Sequence, residues 1–174
     1  MKKYIFLSVG LIAVLSLGLF SFKNIGGDSD QNAKTESKMA NSNAIQWMSI
    51  EDAIDMEKKA KKGFFVDVYT DWCGWCKVMD KKTFTDPAVI EYINENFYAV
   101  KFDAEQKESI SYKGQDYEFV NSGRRGVNKF AHKILNGRLG YPSFVVMDKN
   151  MKTQKILKGF QKSEQLLRAL ETVK

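Results

Sequence analysis

The sequence predicts an α/β fold, and three observations predict it. The run Gly63-Phe64-Phe65-Val66-Asp67-Val68-Tyr69-Thr70 is apolar, β-branched and aromatic, so it reads as a buried strand. It leads into a segment holding both cysteines of the 174-residue chain, Cys73 and Cys76. Further strand-like runs, Phe97–Asp103, Phe144–Met147 and Thr153–Lys158, alternate with stretches of helical apolar spacing.

Each element has its origin in local pattern. Met1-Lys2-Lys3 is a positive start, and Tyr4 to Phe22 is almost wholly apolar, broken only by Ser and Gly. This segment, 1–22, is an export signal or a membrane anchor, since about 20 apolar residues span a bilayer. Ser16-Leu17-Gly18 is the best small-x-small cleavage candidate, and with no Cys here bacterial lipoprotein processing is excluded. Cleaved signal and uncleaved anchor both stand, and either exports the C-terminal part of the chain while Lys2 and Lys3 stay inside. Residues 23–43 are rich in Asn, Ser, Gly, Asp and Lys and lack aromatics, the composition of a flexible tether. A single domain is expected over 44–174, about 130 residues, enough for one core.

Within that domain, Ser49-Ile50-Glu51-Asp52 opens a helix with a capping-box-like start, closed by Gly63. Asp86-Pro87 reads as an N-cap followed by a first-turn proline. Phe97–Asp103 alternates as a strand, and Ser109 to Val120 reads as a hairpin turning near Lys113-Gly114. Val127, Phe130, Ala131, Ile134 and Leu135 fall at helical spacing, with His132 off that stripe as a surface residue. A Ser163 cap opens the last helix. No internal repeat is present.

Charge argues against one class of partner. The formal net charge is +6, but the lysines lie in short separate groups that read as solvated helix faces. No continuous basic patch is formed, and export removes the chain from nucleic acid, so a nucleic-acid partner is disfavoured. The Arg124-Arg125 pair reads first as solvated surface, with contact to an anionic partner as the alternative.

The chemistry lies in Asp71-Trp72-Cys73-Gly74-Trp75-Cys76-Lys77. Two thiols spaced C-x-x-C at a strand-to-helix junction close and reopen a small disulfide. At a helix start the first thiol is favoured as thiolate by unpaired backbone N–H groups. Cys73 is therefore the candidate nucleophile and Cys76 its resolving partner. A structural zinc site needs four ligands, and this chain offers two Cys and one His. An iron–sulfur cluster needs four thiolates, and haem attachment needs a His where Lys77 stands. A purely structural bridge across so short a loop removes little chain entropy. Asp67, inside the strand, either faces water at an edge or is a buried acid with raised pKa that moves protons for the resolving thiol.

The segment Val66 to Lys77 resembles the active-site strand and helix start of the thioredoxin superfamily, in which a buried Asp precedes the nucleophilic Cys by six residues, as Asp67 precedes Cys73. Gly140-Tyr141-Pro142-Ser143 before Phe144–Met147 resembles that family's cis-proline segment, and Gly159 after Thr153–Lys158 matches its closing hairpin, glycine and helix. Lys77-Val78-Met79-Asp80 through Thr83-Phe84-Thr85-Asp86-Pro87 is similar to the C-terminal thioredoxin-like domain of DsbD proteins. The resemblance implies a thioredoxin fold: a central mixed β-sheet flanked by helices, with extra chain at about 104–128 forming an inserted hairpin or loop before the cis-proline strand. That excess is a functional surface or plain decoration. The dipeptide between the cysteines is Gly74-Trp75 rather than Gly-Pro, and Ser143 replaces a common Thr.

The resemblance further implies thiol–disulfide exchange with protein clients, with the Cys73–Cys76 pair as the only redox group and no metal or separate cofactor. Client contacts would fall on Trp72, Gly74, Trp75, Tyr141 and Pro142, with Lys77 and Gly159 in support. The expected direction is reductase, fed by a membrane thiol donor. Oxidase or isomerase action, or a tethered binding or chaperone module without turnover, are the rivals. The expected location is exported, either periplasmic or on the outer face of a bacterial inner membrane, touching membrane only through the N-terminal segment if it is uncleaved.

Overall fold

The computed structural model describes residues 43–173. The apolar segment and tether expected over 1–22 and 23–43 lie outside the described residues, apart from residue 43. No helix among the described residues is long and apolar enough to cross a membrane.

In chain order the strands are β1 (Trp47–Met48), β2 (Gly63–Tyr69), β3 (Phe97–Asp103), β4 (Ile110–Tyr112), β5 (Gln115–Tyr117), β6 (Phe119–Ser122), β7 (Arg125–Asn128), β8 (Ser143–Met147) and β9 (Thr153–Lys158). Five of them form a central mixed sheet in the spatial order β1-β3-β2-β8-β9. β3 runs parallel to β1 and β2, whereas β8 is antiparallel to both of its neighbours, β2 and β9. The helices are α1 (Ile50–Lys59), α2 (Gly74–Val78), α3 (Pro87–Asn96), α4 (Lys129–Ile134) and α5 (Ser163–Glu171). One wide turn of π type, Met79–Thr83, continues α2. This is the thioredoxin fold that the sequence predicts.

Side-chain alternation along β2 sorts the core into two layers. Phe64, Val66 and Val68 face α1 and α4, packing with Ile50, Phe130 and Ile134. Phe65 faces the other side with Phe84, Ile93, Phe144 and Leu166. Asp67, two residues on from Phe65, shares that second face, which carries the cysteine helix. Phe65, Phe84 and Phe144 meet with ring centroids 5.8–6.1 Å apart. Phe84 comes directly after the π turn, so this aromatic cluster anchors the far end of the cysteine helix to the sheet. Truncating such a fully buried ring typically costs about 3–5 kcal/mol.

Four expectations need correction. α1 ends at Lys59, and Gly63 does not close it but opens β2. A side chain at Gly63 would lie 2.7 Å from the Met147 carbonyl oxygen, so the glycine answers to strand packing. Val127 belongs to β7 rather than to α4, whose N-cap is Asn128; its side chain accepts from the Phe130 N–H. α5 is capped at Lys162, one residue before Ser163, and the Gln165 side chain accepts the Lys162 N–H at 3.1 Å. The excess chain holds two hairpins, not one. The first, β4 with β5, turns at Lys113-Gly114 as expected, and the second pairs β6 with β7.

Candidate active site

β2 ends at Tyr69, and the chain turns through Asp71-Trp72 into α2. The Thr70 carbonyl accepts the Cys73 N–H at 3.0 Å, which fixes the turn. Cys73 is extended and caps α2, its Sγ accepting the Cys76 N–H at 3.1 Å. Lys77, whose side chain is exposed, donates its backbone N–H to the Cys73 carbonyl. Cys73 and Cys76 are joined as a disulfide, S–S 2.06 Å, and both are buried. Once that bond opens, the Cys76 N–H already points at Cys73 Sγ, the arrangement that favours a thiolate there.

Around the buried sulfurs the surface is aromatic. Trp72 is 49% exposed and Trp75 62%. Trp72 meets Tyr141 edge-on at 6.0 Å, and Trp75 meets Phe160 at 5.7 Å. Gly74 lies between them with open space where a side chain would stand. The Tyr141–Pro142 bond is cis. Ser143, which starts β8, donates its hydroxyl to the Gly140 carbonyl at 2.6 Å. Gly159, at φ +75°, donates its N–H to the Pro142 carbonyl at 2.8 Å, so the proline segment is held from behind. The β2–β8 ladder begins at Ser143, which leaves Tyr141 outside it. The π turn helps set this face: Thr83 Oγ1 donates to the Gln161 carbonyl at 2.6 Å, tying the turn to the chain that carries Phe160.

Asp67 is 1% exposed. Its Oδ2 accepts from Lys101 Nζ at 2.6 Å, and the same ammonium donates to Asp80 Oδ1. Asp67 Oδ1 is buried without a hydrogen-bond partner, as is Thr70 Oγ1. Burial pushes the Asp67 carboxyl up to about 6, against the opposing pull of Lys101. Lys101 itself is held above its ordinary value by Asp67 and Asp80, which outweigh its partial burial. Its ammonium also lies 5.0–5.5 Å from the ring centres of Trp47, Tyr69 and Phe84. The acid expected in the strand is therefore buried and shifted upward, and it is paired, which sequence reasoning missed. The signal was present: in the alternation of β3, Lys101 falls on the face of Phe97 and Ala99 and opposite Asp67 in register.

A second group was also missed. Trp72 Nε1–H donates to Glu105 Oε1 at 2.9 Å, and Arg125 lies over the indole with its guanidinium carbon 4.5 Å from the ring centre. Both residues come from the excess chain after β3. No local pattern announces a contact spanning 33 residues between Trp72 and Glu105. Arg124 and His132 are exposed, as their sequence context suggests.

Comparison with known proteins agrees with this geometry. Residues 33–153 match the family model Thioredox_DsbH, described as "Protein of unknown function, DUF255". The thiol:disulfide interchange protein DsbD of Vibrio vulnificus (strain YJ016) is 36% identical over 97 residues, which is 51% of this chain but only 15% of that protein's length. A thioredoxin from Thermus thermophilus superposes with TM-score 0.56 at 16% identity, covering 75% of this chain and 87% of its own. A putative disulphide-isomerase from Bacteroides thetaiotaomicron gives TM-score 0.53 at 25% identity, covering 74% and 89%. The chain has the disulfide-oxidoreductase type of thioredoxin fold, with its cysteine pair at the strand-to-helix junction. It is a thioredoxin-superfamily protein similar to DsbD-related domains, and it belongs to the Thioredox_DsbH family.

Proposed function

We propose that this protein is an extracytoplasmic thiol–disulfide oxidoreductase that reduces disulfides in protein clients. The observation that carries the reading is the Cys73–Cys76 disulfide set between a cis-proline segment and a strand bearing one buried, partly unpaired acid, Asp67. In the reduced protein the Cys73 thiolate attacks one sulfur of a client disulfide. A mixed disulfide forms and the other client sulfur leaves as thiolate. Cys76 gives its proton to Asp67, and its thiolate then attacks Cys73 Sγ. The Cys73–Cys76 bond closes and the second client thiol is released. The client gains two electrons, and the protein ends oxidised.

Tyr141, outside the ladder, offers its backbone to an extended client segment in strand-addition mode, with Trp72, Gly74, Trp75 and Pro142 around it. Return to the dithiol needs an electron donor, which we assign to a membrane thiol carrier. The apolar segment 1–22 supports export to a periplasm or attachment to the outer face of an inner membrane, with 23–43 as tether and 44–174 as the working domain. The likeness to a putative disulphide-isomerase supports a second use of the same residues, in which the reduced pair attacks and releases client disulfides so that they re-pair without net electron transfer.

Trapping tests the exchange step. Cys76→Ala should accumulate client adducts through Cys73 that dithiothreitol releases. Recovery of none from the cell envelope would return the fold to a binding role without turnover.

A further inference from the structure

The chain between β3 and α4 reaches the active-site rim. Glu105 stands at its start and Arg125 on β7 near its end, and both close on Trp72, the residue before Cys73. Glu105 uses one carboxylate oxygen for the indole N–H and the other for Arg125, at 3.7 Å from Nη1. Tyr141 closes a third side of the ring. The insertion is therefore one wall of the face on which a client must lie.

Arg125 is not consumed by these contacts. At 3.7 Å its link to Glu105 is longer than a hydrogen bond, and its side chain is 56% exposed. A guanidinium carries five N–H donors in a planar fork suited to a carboxylate. With its guanidinium over the indole, more than half of the side chain still stands open to solvent. Arg124, beside it in the turn, is exposed and adds a second positive charge. Trp72 touches both Tyr141, whose backbone the exchange reading gives to the client, and Arg125, so this hairpin borders the face where the client would lie.

We propose that the β6–β7 hairpin reads the client, with Arg125 pairing to an acidic side chain on the client segment close to its reacting cysteine. The proposal rests on the exchange reading above and adds what kind of client segment the site takes. Glu105 offsets part of the charge, so the preference is modest. For a solvent-exposed ion pair it is about two- to fivefold in kcat/KM, and it weakens as salt rises.

The test uses the full chain, reduced with dithiothreitol, and two synthetic disulfide-bonded peptides identical except for Glu or Lys at the positions flanking one cysteine. The quantity read is the ratio of kcat/KM for the Glu peptide to that for the Lys peptide, which cancels any general change in exchange rate. Wild type should give a ratio above one that falls between low and high salt. Arg125→Lys should retain the preference, and Arg125→Glu should bring the ratio to one or below. A ratio unchanged in Arg125→Glu overturns the role of Arg125 while leaving exchange intact. Absence of exchange with either peptide overturns the redox reading, and this proposal with it.

Discussion

Asp67 lies on β2 and Trp72 in the turn from β2 into the cysteine helix, and each meets one cation that also touches a neighbouring carboxylate. Lys101, only 21% exposed, joins Asp67 to Asp80 among three aromatic rings. Arg125, 56% exposed, lies between Glu105 and Trp72. The parts are alike and the surroundings are not. Near the sheet, low polarisability of the medium makes each charge strongly felt, so burial raises the Asp67 carboxyl and Lys101 only partly offsets it. At the rim, water screens the same kind of pair to about 0–1 kcal/mol. The buried group is suited to moving a proton, and the exposed group to recognising a partner.

The comparison can be broken at several points. The largest effect belongs to the sulfurs between the two groups: Cys73→Ser should reduce exchange with a disulfide peptide to the uncatalysed rate. Residual turnover there would move the nucleophile to Cys76.

Asp67→Asn should come next, slowing exchange about 100-fold, at the lower end of what a positioned acid–base group supplies. Its effect on stability has the opposite sign. An aspartate ionises near 3.9 in the unfolded chain and at about 6 here, so between those values the native state binds more protons than the unfolded state. Stability is therefore fullest below about pH 4 and falls as pH rises through about 6, by on the order of 3 kcal/mol in all. Asn carries no charge to bury, so Asp67→Asn should unfold at higher urea than wild type at pH 8 and show no such gain at pH 4. Equal midpoints at pH 8 would mean that Asp67 is not strained by burial.

The two partners of Asp67 should act in opposite directions. Lys101→Met removes the charge that holds Asp67 down, and should move its ionisation in the pH–rate profile upward. Asp80→Asn removes a neighbouring negative charge, and should move it downward. Shifts of the same sign would show that Lys101 and Asp80 act only through structure. The smallest effect is expected at the rim, where Glu105→Gln should change unfolding free energy by less than about 1 kcal/mol. A loss well beyond that would make the exposed group a structural tie.

How much of this was legible depended on whether the signal was local. The strand into Cys73, the spacing of Asp67, the proline before β8 and the glycine after β9 are each read within a dozen residues, and β2, the cis bond at Pro142 and the left-handed Gly159 form as those readings expect. Asp86 and Pro87 likewise cap α3 as their chemistry requires. Val127 is misleading because one residue of β7 continues the apolar spacing of α4 by accident of register. Ser163 does not cap α5 because the helix begins one residue earlier than the spacing suggests: Lys162 is the extended cap residue, its N–H taken by Gln165, and Ser163 is the first helical position. Lys101 was partly legible, since a lysine on the apolar face of an alternating strand asks for a buried acid. The contacts of Trp72 with Glu105 and Arg125 were not, because they depend on how a two-hairpin insertion folds back over the rim.

The direction of electron flow is the central claim, and an equilibrium titration of the Cys73–Cys76 pair against a dithiothreitol or glutathione series tests it most directly. A reductase should poise near thioredoxin's value of roughly −270 mV. A potential of roughly −120 to −180 mV, the range of oxidants and isomerases, would contradict it and make the protein a donor or shuffler of disulfides.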